Sequence, residues 1–414
     1  MRGYSAYSLI RHALTGHQSW PRTWRKARLK PSYDVVIVGA GGHGLATAYY
    51  LATRHGIRNI AVLEKGYLGG GNSGRNTQVC RSNYFFSDSC AFYDHSLKLY
   101  ESLSADLNFN TMHSQRGVLS LCNSEHEMEL GRRWANAMRM NGIDSRLMSR
   151  GEIRQLIPQI NLDNRFPVVG GFIQDRGGIS RHDAVVWAYA RAASAAGVDI
   201  VEQCEVTGTN SNDGAVTSLE TTCGQVTASQ YALCVAGHSS QLAAMAGVQL
   251  PISSVALQAM VSEPLKPVFP TTLMAARVHV YVSQSDRGEM VIGGGVDGYN
   301  SYAQRGGLPT LKDNMKALIE LFPCFSRLRV MRQWAGICDM APDVSPVIGK
   351  TRIDNLFVST GWGTGGYKAI PAGGDTLAST MATGETHPLI RPFGPDRFTS
   401  GYLIDEGAAS GVAH

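Results

Sequence analysis

The 414-residue chain is 43% hydrophobic and 17% charged, which excludes a disordered polymer and suits a folded protein with room for two domains. Its formal +5 is unevenly spread: residues 1–32 hold seven bases (Arg2, Arg11, Arg22, Arg25, Lys26, Arg28 and Lys30) and no acid, leaving −2 for a body that has no electrostatic footprint for nucleic acid. No apolar run reaches the roughly 18 residues of a membrane span, no signal-peptide core opens the chain, and eight scattered cysteines form neither a Cys-x-x-Cys pair nor a zinc-spaced cluster, so a reducing, cytoplasmic setting without membrane or structural metal is expected.

The first 32 residues form a basic arm carrying Trp20 and Trp24. A targeting sequence, a nucleic-acid tail, a docking arm on a partner subunit and a merely solvated tail all fit it. Tyr33–Val38 then reads as a buried strand that breaks into Gly39-Ala40-Gly41-Gly42-His43-Gly44 and continues as the helix-like Leu45–Ala52. Ile60–Leu63 is a second buried strand, and it ends on Glu64, 20 residues past Gly44. Strand, glycine turn, helix, strand and acid together spell a dinucleotide-binding βαβ unit.

Each residue of that unit has a mechanical reason. Gly39 permits the tight turn, Gly41 lets backbone approach a pyrophosphate, and Gly44 allows close packing of helix on strand. Gly42 and His43 lie in the turn, and the helix that follows it offers free N–H groups and the positive end of its dipole to the anion. Glu64 suits a ribose diol, where a 2′-phosphate would call for arginine. A second glycine-rich stretch, Gly69 to Thr77, follows at once and can supply backbone donors to an extended cofactor, which favours FAD over NAD.

Further along, Ser180-Arg181-His182-Asp183 reads as a helix start with Ser180 as N-cap, which puts His182 in the first turn, where the helix dipole keeps its ring neutral. Val198–Val206 reads as one strand. Turns at Asn212-Asp213-Gly214 and Cys223-Gly224 then space out a β-meander returning through Tyr231–Val235. Val278–Val282 and Met290–Ile292 form a hairpin in a second sheet. Leu356–Ser359 is a last buried strand opening into Gly361-Trp362-Gly363-Thr364-Gly365-Gly366, a third close backbone approach.

With Glu64-Lys65-Gly66, Arg75-Asn76-Thr77, Gln115-Arg116-Gly117-Val118, Arg181-His182-Asp183 and Gly361 to Lys368 in this order, the chain resembles the β subunits of heterotetrameric sarcosine oxidases, among the D-amino-acid-oxidase-like flavoproteins. The resemblance runs from about Tyr33 to the closing Gly401-Tyr402-Leu403-Ile404-Asp405-Glu406. It implies an α/β, two-domain flavoprotein: a Rossmann-like FAD-binding domain with an inserted β-meander (residues 33–115, 175–250 and 336–414) and an antiparallel-sheet substrate domain (116–174 and 251–335).

By the same resemblance, FAD is non-covalent, with Asn72, Arg75, Thr77, Val206, Gly363, Gly366 and Lys368 joining the fingerprint around it. FMN is covalently linked to His182, with Arg181 beside its phosphate. Sarcosine is oxidised at FAD, electrons pass to FMN and then to oxygen, giving hydrogen peroxide, and the α subunit releases formaldehyde or loads tetrahydrofolate. The implied assembly adds γ and δ subunits and an NAD on α. Arg81 and Lys368 match the cations that hold the substrate carboxylate, and Lys368 can also face the flavin pyrimidine edge. Relatives that attach FAD through cysteine use a position that here is Gly336, two residues from Cys338, which is why FAD is expected to be non-covalent. A dehydrogenase of another secondary or D-amino acid, and a non-catalytic flavin-bound assembly subunit, are the alternatives.

Overall fold

A computed structural model describes residues 5–18, 20 and 22–404. Arg2 of the basic arm and the closing Asp405-Glu406 lie outside the described residues. The fold is mixed α/β, organised around two eight-stranded sheets.

In the first sheet, Ser32–Val38 lies between Gly224–Leu233 and Ile60–Glu64, parallel to both, and Asp199–Glu202 extends the parallel run beyond Ile60–Glu64. These strands are nearly continuous apolar runs because helices cover the sheet: Val36, Ile37, Val62 and Tyr231 are fully buried. Leu356–Thr360 pairs parallel with the end of Gly224–Leu233, so several strand ends open toward one edge. The helices Gly42–Arg54, His182–Ala195 and Gly366–Thr383 pack on this layer, their small residues Ala46, Ala48, Ala188, Ala190, Ala372 and Ala378 letting the backbones come close.

The meander folds as three antiparallel strands, Val206–Asn212, Ala215–Thr221 and Gly224–Leu233, turning at Asp213-Gly214, both with positive φ. The reading of Val198–Val206 as one strand is corrected. Gln203 takes a left-handed φ of 57° and splits it, so Asp199–Glu202 joins the parallel sheet and Val206–Asn212 starts the meander.

The second sheet runs Val330–Met340, Ser253–Pro264, Glu289–Asn300, Val280–Gln284, Thr272–Ala275, Val118–Cys122, Gly170–Gln174, Arg146–Ser149. It is antiparallel throughout except where Thr272–Ala275 meets Val118–Cys122. One face is filled by Leu119, Ile173, Met260, Leu273, Val282 and Ile292 beneath the helix Leu308–Leu321. The expected hairpin is present, but its first strand begins at Val280, because His279 sits in the left-handed region at φ 53° and ends the turn before it. Val330–Met340 runs unbroken across the division drawn between residues 335 and 336.

Candidate active site

A cavity of about 940 Å³ lies between the strand ends of the first sheet and the inner face of the second. It is at the large end of the range for ligand sites, as an extended cofactor needs. Its floor is the turn after Ser32–Val38. Gly39 has φ +105°, and a Cβ there would strike the Cys234 carbonyl on the neighbouring strand. Gly44 faces away from the cavity: its Cβ would strike the Gly39 carbonyl, so it sets how closely helix and strand pack. At Gly41, among the described residues, an added Cβ would meet only Ser73 Oγ, at 3.1 Å, leaving that face of the backbone open to the cavity.

The helix Gly42–Arg54 has no acid in its first turn and no cap from the residue before it, so the N–H groups that follow Gly42 keep their capacity for an anion. These features fit a pyrophosphate-bearing cofactor. Ser73 Oγ accepts the Gly42 N–H at 2.8 Å and thereby ties the second glycine-rich stretch to the first. The Glu64 carboxylate is held at the strand end by the N–H groups of Ala40 (3.0 Å) and Gly66 (2.9 Å), which fixes it against the cavity wall. Within the second stretch, Asn72 Nδ2 donates to the Ile337 carbonyl at 2.5 Å and Arg75 Nη1 to the carbonyls of Gly70 and Gly71. Arg75 thus braces its own loop.

Two further basic residues of the lining, Arg81 and Lys368, are buried. Lys368 is buried on the helix Gly366–Thr383, its Nζ donating to the Thr364 carbonyl at 3.1 Å. Burial, and then the nearby Arg81, hold its proton affinity well below the usual lysine range. Arg81 is also buried; its Nη1 donates to Asn83 Oδ1 at 2.6 Å, and its guanidinium lies 4.8 Å from the Tyr84 ring centre. When both are protonated, two buried basic groups facing one cavity repel each other, and a carboxylate between them would relieve that repulsion.

His43 stacks on Trp362 at 4.3 Å, with Nε2 2.9 Å from the Gly366 carbonyl, which requires the proton on Nε2. Burial lowers its pKa to about 4, so it is neutral at pH 7. Gly363, with φ +49°, and Gly366 carry the late turn along the cavity wall. Cys338 also lines the cavity, but burial pushes its thiol up to about 12, and Gly336 has no side chain with which to attach anything.

Of the residues singled out from the sequence, Gly39, Gly41, Gly42, His43, Glu64, Asn72, Arg75, Thr77, Arg81, Val206, Gly363, Gly366 and Lys368 meet in this cavity. Gly44 lies behind it. Arg181 and His182 do not line it. Ser180 is not the N-cap of the following helix: that position is Arg181, and the buried Ser180 hydroxyl donates instead to the Thr111 carbonyl at 3.0 Å. His182 is the first helical residue, with Nδ1 buried and unpartnered and a pKa lowered to about 4, chiefly by burial. Arg181 is engaged by Asp183 through two contacts, at 2.8 and 3.1 Å. Tyr367 links the two places, since it lines the cavity while its hydroxyl donates to the Ser180 carbonyl at 2.6 Å.

Sequence reasoning missed Ser73 and the wall given by the second sheet, where Met274 and Tyr281 face the cavity. Burial pushes the Tyr281 hydroxyl up to about 12, an effect the neighbouring Thr77 side chain reduces. The tyrosine's place in an alternating strand was the available signal, but alternation does not say which face meets a cavity.

Residues 34–380 match the family model described as FAD dependent oxidoreductase. A sarcosine oxidase subunit beta from Rhodobacter capsulatus is 50% identical over 415 residues, all of both chains; one from an Arthrobacter species is 50% identical over 94% of this chain and 97% of its own. Among solved structures, the L-proline dehydrogenase of P. horikoshii superposes with a TM-score of 0.85 at 23% identity, covering 91% of this chain and all of its own, a likeness of fold.

Proposed function

The chain belongs to the FAD dependent oxidoreductases, and within them to the family of sarcosine oxidase β subunits, and from that premise we propose that its cavity oxidises sarcosine beside a flavin seated on the Gly39–Gly44 turn, with Arg81 and Lys368 clamping the substrate carboxylate. The observation that carries this reading is one cavity lined by two buried basic side chains, an N-terminal helix turn without acid and a fixed carboxylate. FAD, when bound, supplies the two-electron oxidation of the substrate N-methyl group. The chain's own residues set the geometry. Gly41 leaves room for the pyrophosphate, and Glu64 presents acceptors to the ribose diol. Arg81 and Lys368 fix one end of a small amino acid, so that its N-methyl group takes one orientation. Substrate binding also favours the protonated form of Lys368, because the carboxylate offsets the nearby guanidinium.

The finer assignments belong to the same proposal. FAD is held without a covalent bond, in keeping with the buried Cys338 thiol and the bare Gly336. FMN is attached at His182, supported by a neutral imidazole with an unpartnered Nδ1 and by the Tyr367 bridge from the cavity to Ser180. The partners are α, γ and δ subunits, with NAD and tetrahydrofolate handled by α, in a cytoplasmic complex; the relatives' designation as subunits supports an assembly. Among the described residues no helix is long and apolar enough to cross a membrane. The division into residues 33–115, 175–250 and 336–414 against 116–174 and 251–335 is likewise proposed. Anaerobic addition of sarcosine to the purified protein is expected to bleach the FAD absorbance. A flavin that stays oxidised in the complete complex would overturn the reading.

A further inference from the structure

The helix Ala6–Leu14 is turned inside out. Around its axis Leu9, Ala13, Ala6, Ile10, Leu14 and Tyr7 form one continuous apolar arc, while Arg11, Ser8 and His12 occupy the remainder. A surface helix normally buries such an arc. Here Tyr7, Leu9, Ile10 and Leu14 are 74%, 58%, 60% and 83% exposed, and the half-buried residues are the polar Ser8 and His12. His12 is covered by Trp20, whose ring stacks on it at 4.2 Å. The helix is otherwise well made, with Ser5 Oγ accepting the Ser8 N–H at 3.1 Å as an N-cap. Nine residues with no buried side chain are too few to hold a helix in water unaided.

We propose that Ala6–Leu14 is a docking helix whose apolar face is covered, in the assembled enzyme, by another protein subunit presenting an apolar groove with an acidic rim. The rim follows from charge. Arg11, Arg22, Lys26 and Arg28 have no ion-pair partner among the described residues, and the arm contains no acid, so it lacks internal compensation. The location follows from how the arm is anchored. Trp24 packs on the main core, the Arg25 N–H donates to Ser194 Oγ at 3.1 Å, and Arg25 and Lys30 both pair with Asp199, at 2.6 and 2.7 Å. Ser194 closes the helix that His182 opens, and the 42% exposed Trp187 lies on the same helix. The arm therefore leaves the body at the C-terminal end of the helix whose first residue is His182, about 18 Å along it, a span that one partner surface can cover.

This inference rests on the multi-subunit reading, and the test separates the two. The tagged full-length chain and its L9D/I10D variant would be purified from the host with their copurifying subunits, and amide hydrogen exchange measured for residues 6–14. In the wild-type complex these amides should exchange at least roughly tenfold more slowly than in the chain stripped of its partners, and the variant should lose at least about tenfold in subunit affinity. FAD content and anaerobic bleaching by sarcosine should be unchanged, showing that the body has folded. A wild-type chain isolated alone and fully active would remove the multi-subunit reading, and this inference with it. A variant that keeps its subunits at wild-type affinity, with unprotected arm amides in the wild-type complex, would overturn the docking helix alone. So would protection by phosphatidylserine vesicles together with none in the complex, which would assign the helix to a lipid surface.

Discussion

The cavity and the turn at His182 both place basic residues around a proposed flavin, yet they treat charge in opposite ways. In the cavity, Lys368 and Arg81 are buried side by side and Lys368 is held below its ordinary proton affinity, so the site is poised to gain from an anion. At the turn, Arg181 already has its anion: Asp183 grips it with both carboxylate oxygens and pushes its proton affinity up. What the turn leaves without a partner is the buried Nδ1 of the neutral His182 ring. The difference teaches that a motif cation gripped by a carboxylate two residues away, as Arg181 is by Asp183, is spent on its own turn. It also distinguishes the proposed carboxylate clamp from the proposed flavin attachment at an imidazole nitrogen.

The largest expected effect breaks the cavity at its floor. Gly41→Val places a side chain on the open face of the backbone, where only Ser73 Oγ is near, so the chain should fold and yet purify without flavin colour. Gly44→Val should do the reverse and lose stability, by about 1–3 kcal/mol or more, because its side chain meets the Gly39 carbonyl rather than the cofactor. Thermal melts beside flavin spectra tell the two apart; equal flavin retention in Gly41→Val and wild type would sink the pyrophosphate placement.

Next in size is the clamp. Lys368→Met or Arg81→Gln should each lower kcat/KM for sarcosine by at least the tenfold that about 1.4 kcal/mol represents. The clamp also has a pH signature that the turn lacks. Lys368 holds a carboxylate only when protonated, and its affinity for that proton is depressed, so binding should be strong at low pH and weaken as pH rises, well below the usual lysine range. Acetate, which has no amine to titrate, is the suitable probe. Because Arg81 is the second cause of the depression, Arg81→Gln should move this limb to higher pH while weakening binding overall. A limb that stays where it was would show that the two cations do not interact.

How much of this was readable beforehand follows from how far each signal reaches along the chain. The unit from Tyr33 to Glu64 was legible because its strands, turn and acid lie within about thirty residues and each signal is local. The split at Gln203 was not, since the sequence between Val198 and Val206 contains no Gly or Pro to announce a left-handed residue. Ser180 looked like a cap because serine usually is one at a helix start; a tertiary partner, the Thr111 carbonyl, took its hydroxyl instead. The wall formed by Met274 and Tyr281 depends on how the second sheet docks across the cavity, which no local pattern encodes. The Lys368–Arg81 pair is likewise 287 residues apart in sequence, and only the resemblance brought it forward.

The smallest effect on chemistry, and the sharpest on the comparison, comes from His182. The residue does not line the cavity, so His182→Asn should leave FAD content and its anaerobic bleaching by sarcosine within about twofold of wild type, whereas the clamp variants lose that reaction. Acid precipitation of the assembled wild-type enzyme should leave flavin on the peptide containing His182, and the variant should leave none. The isolated chain gives a second readout. The folded imidazole has its pKa lowered to about 4 from an ordinary 6.5, mainly by burial, so the unfolded state binds the proton more readily. The stability this lends is complete above about 6.5 and is lost as pH falls through that value toward 4. Asparagine does not titrate there, so the wild type should lose stability relative to the variant across that window. Parallel melting curves across it would mean that the ring is solvated, removing the physical reason for a neutral nucleophile at that turn.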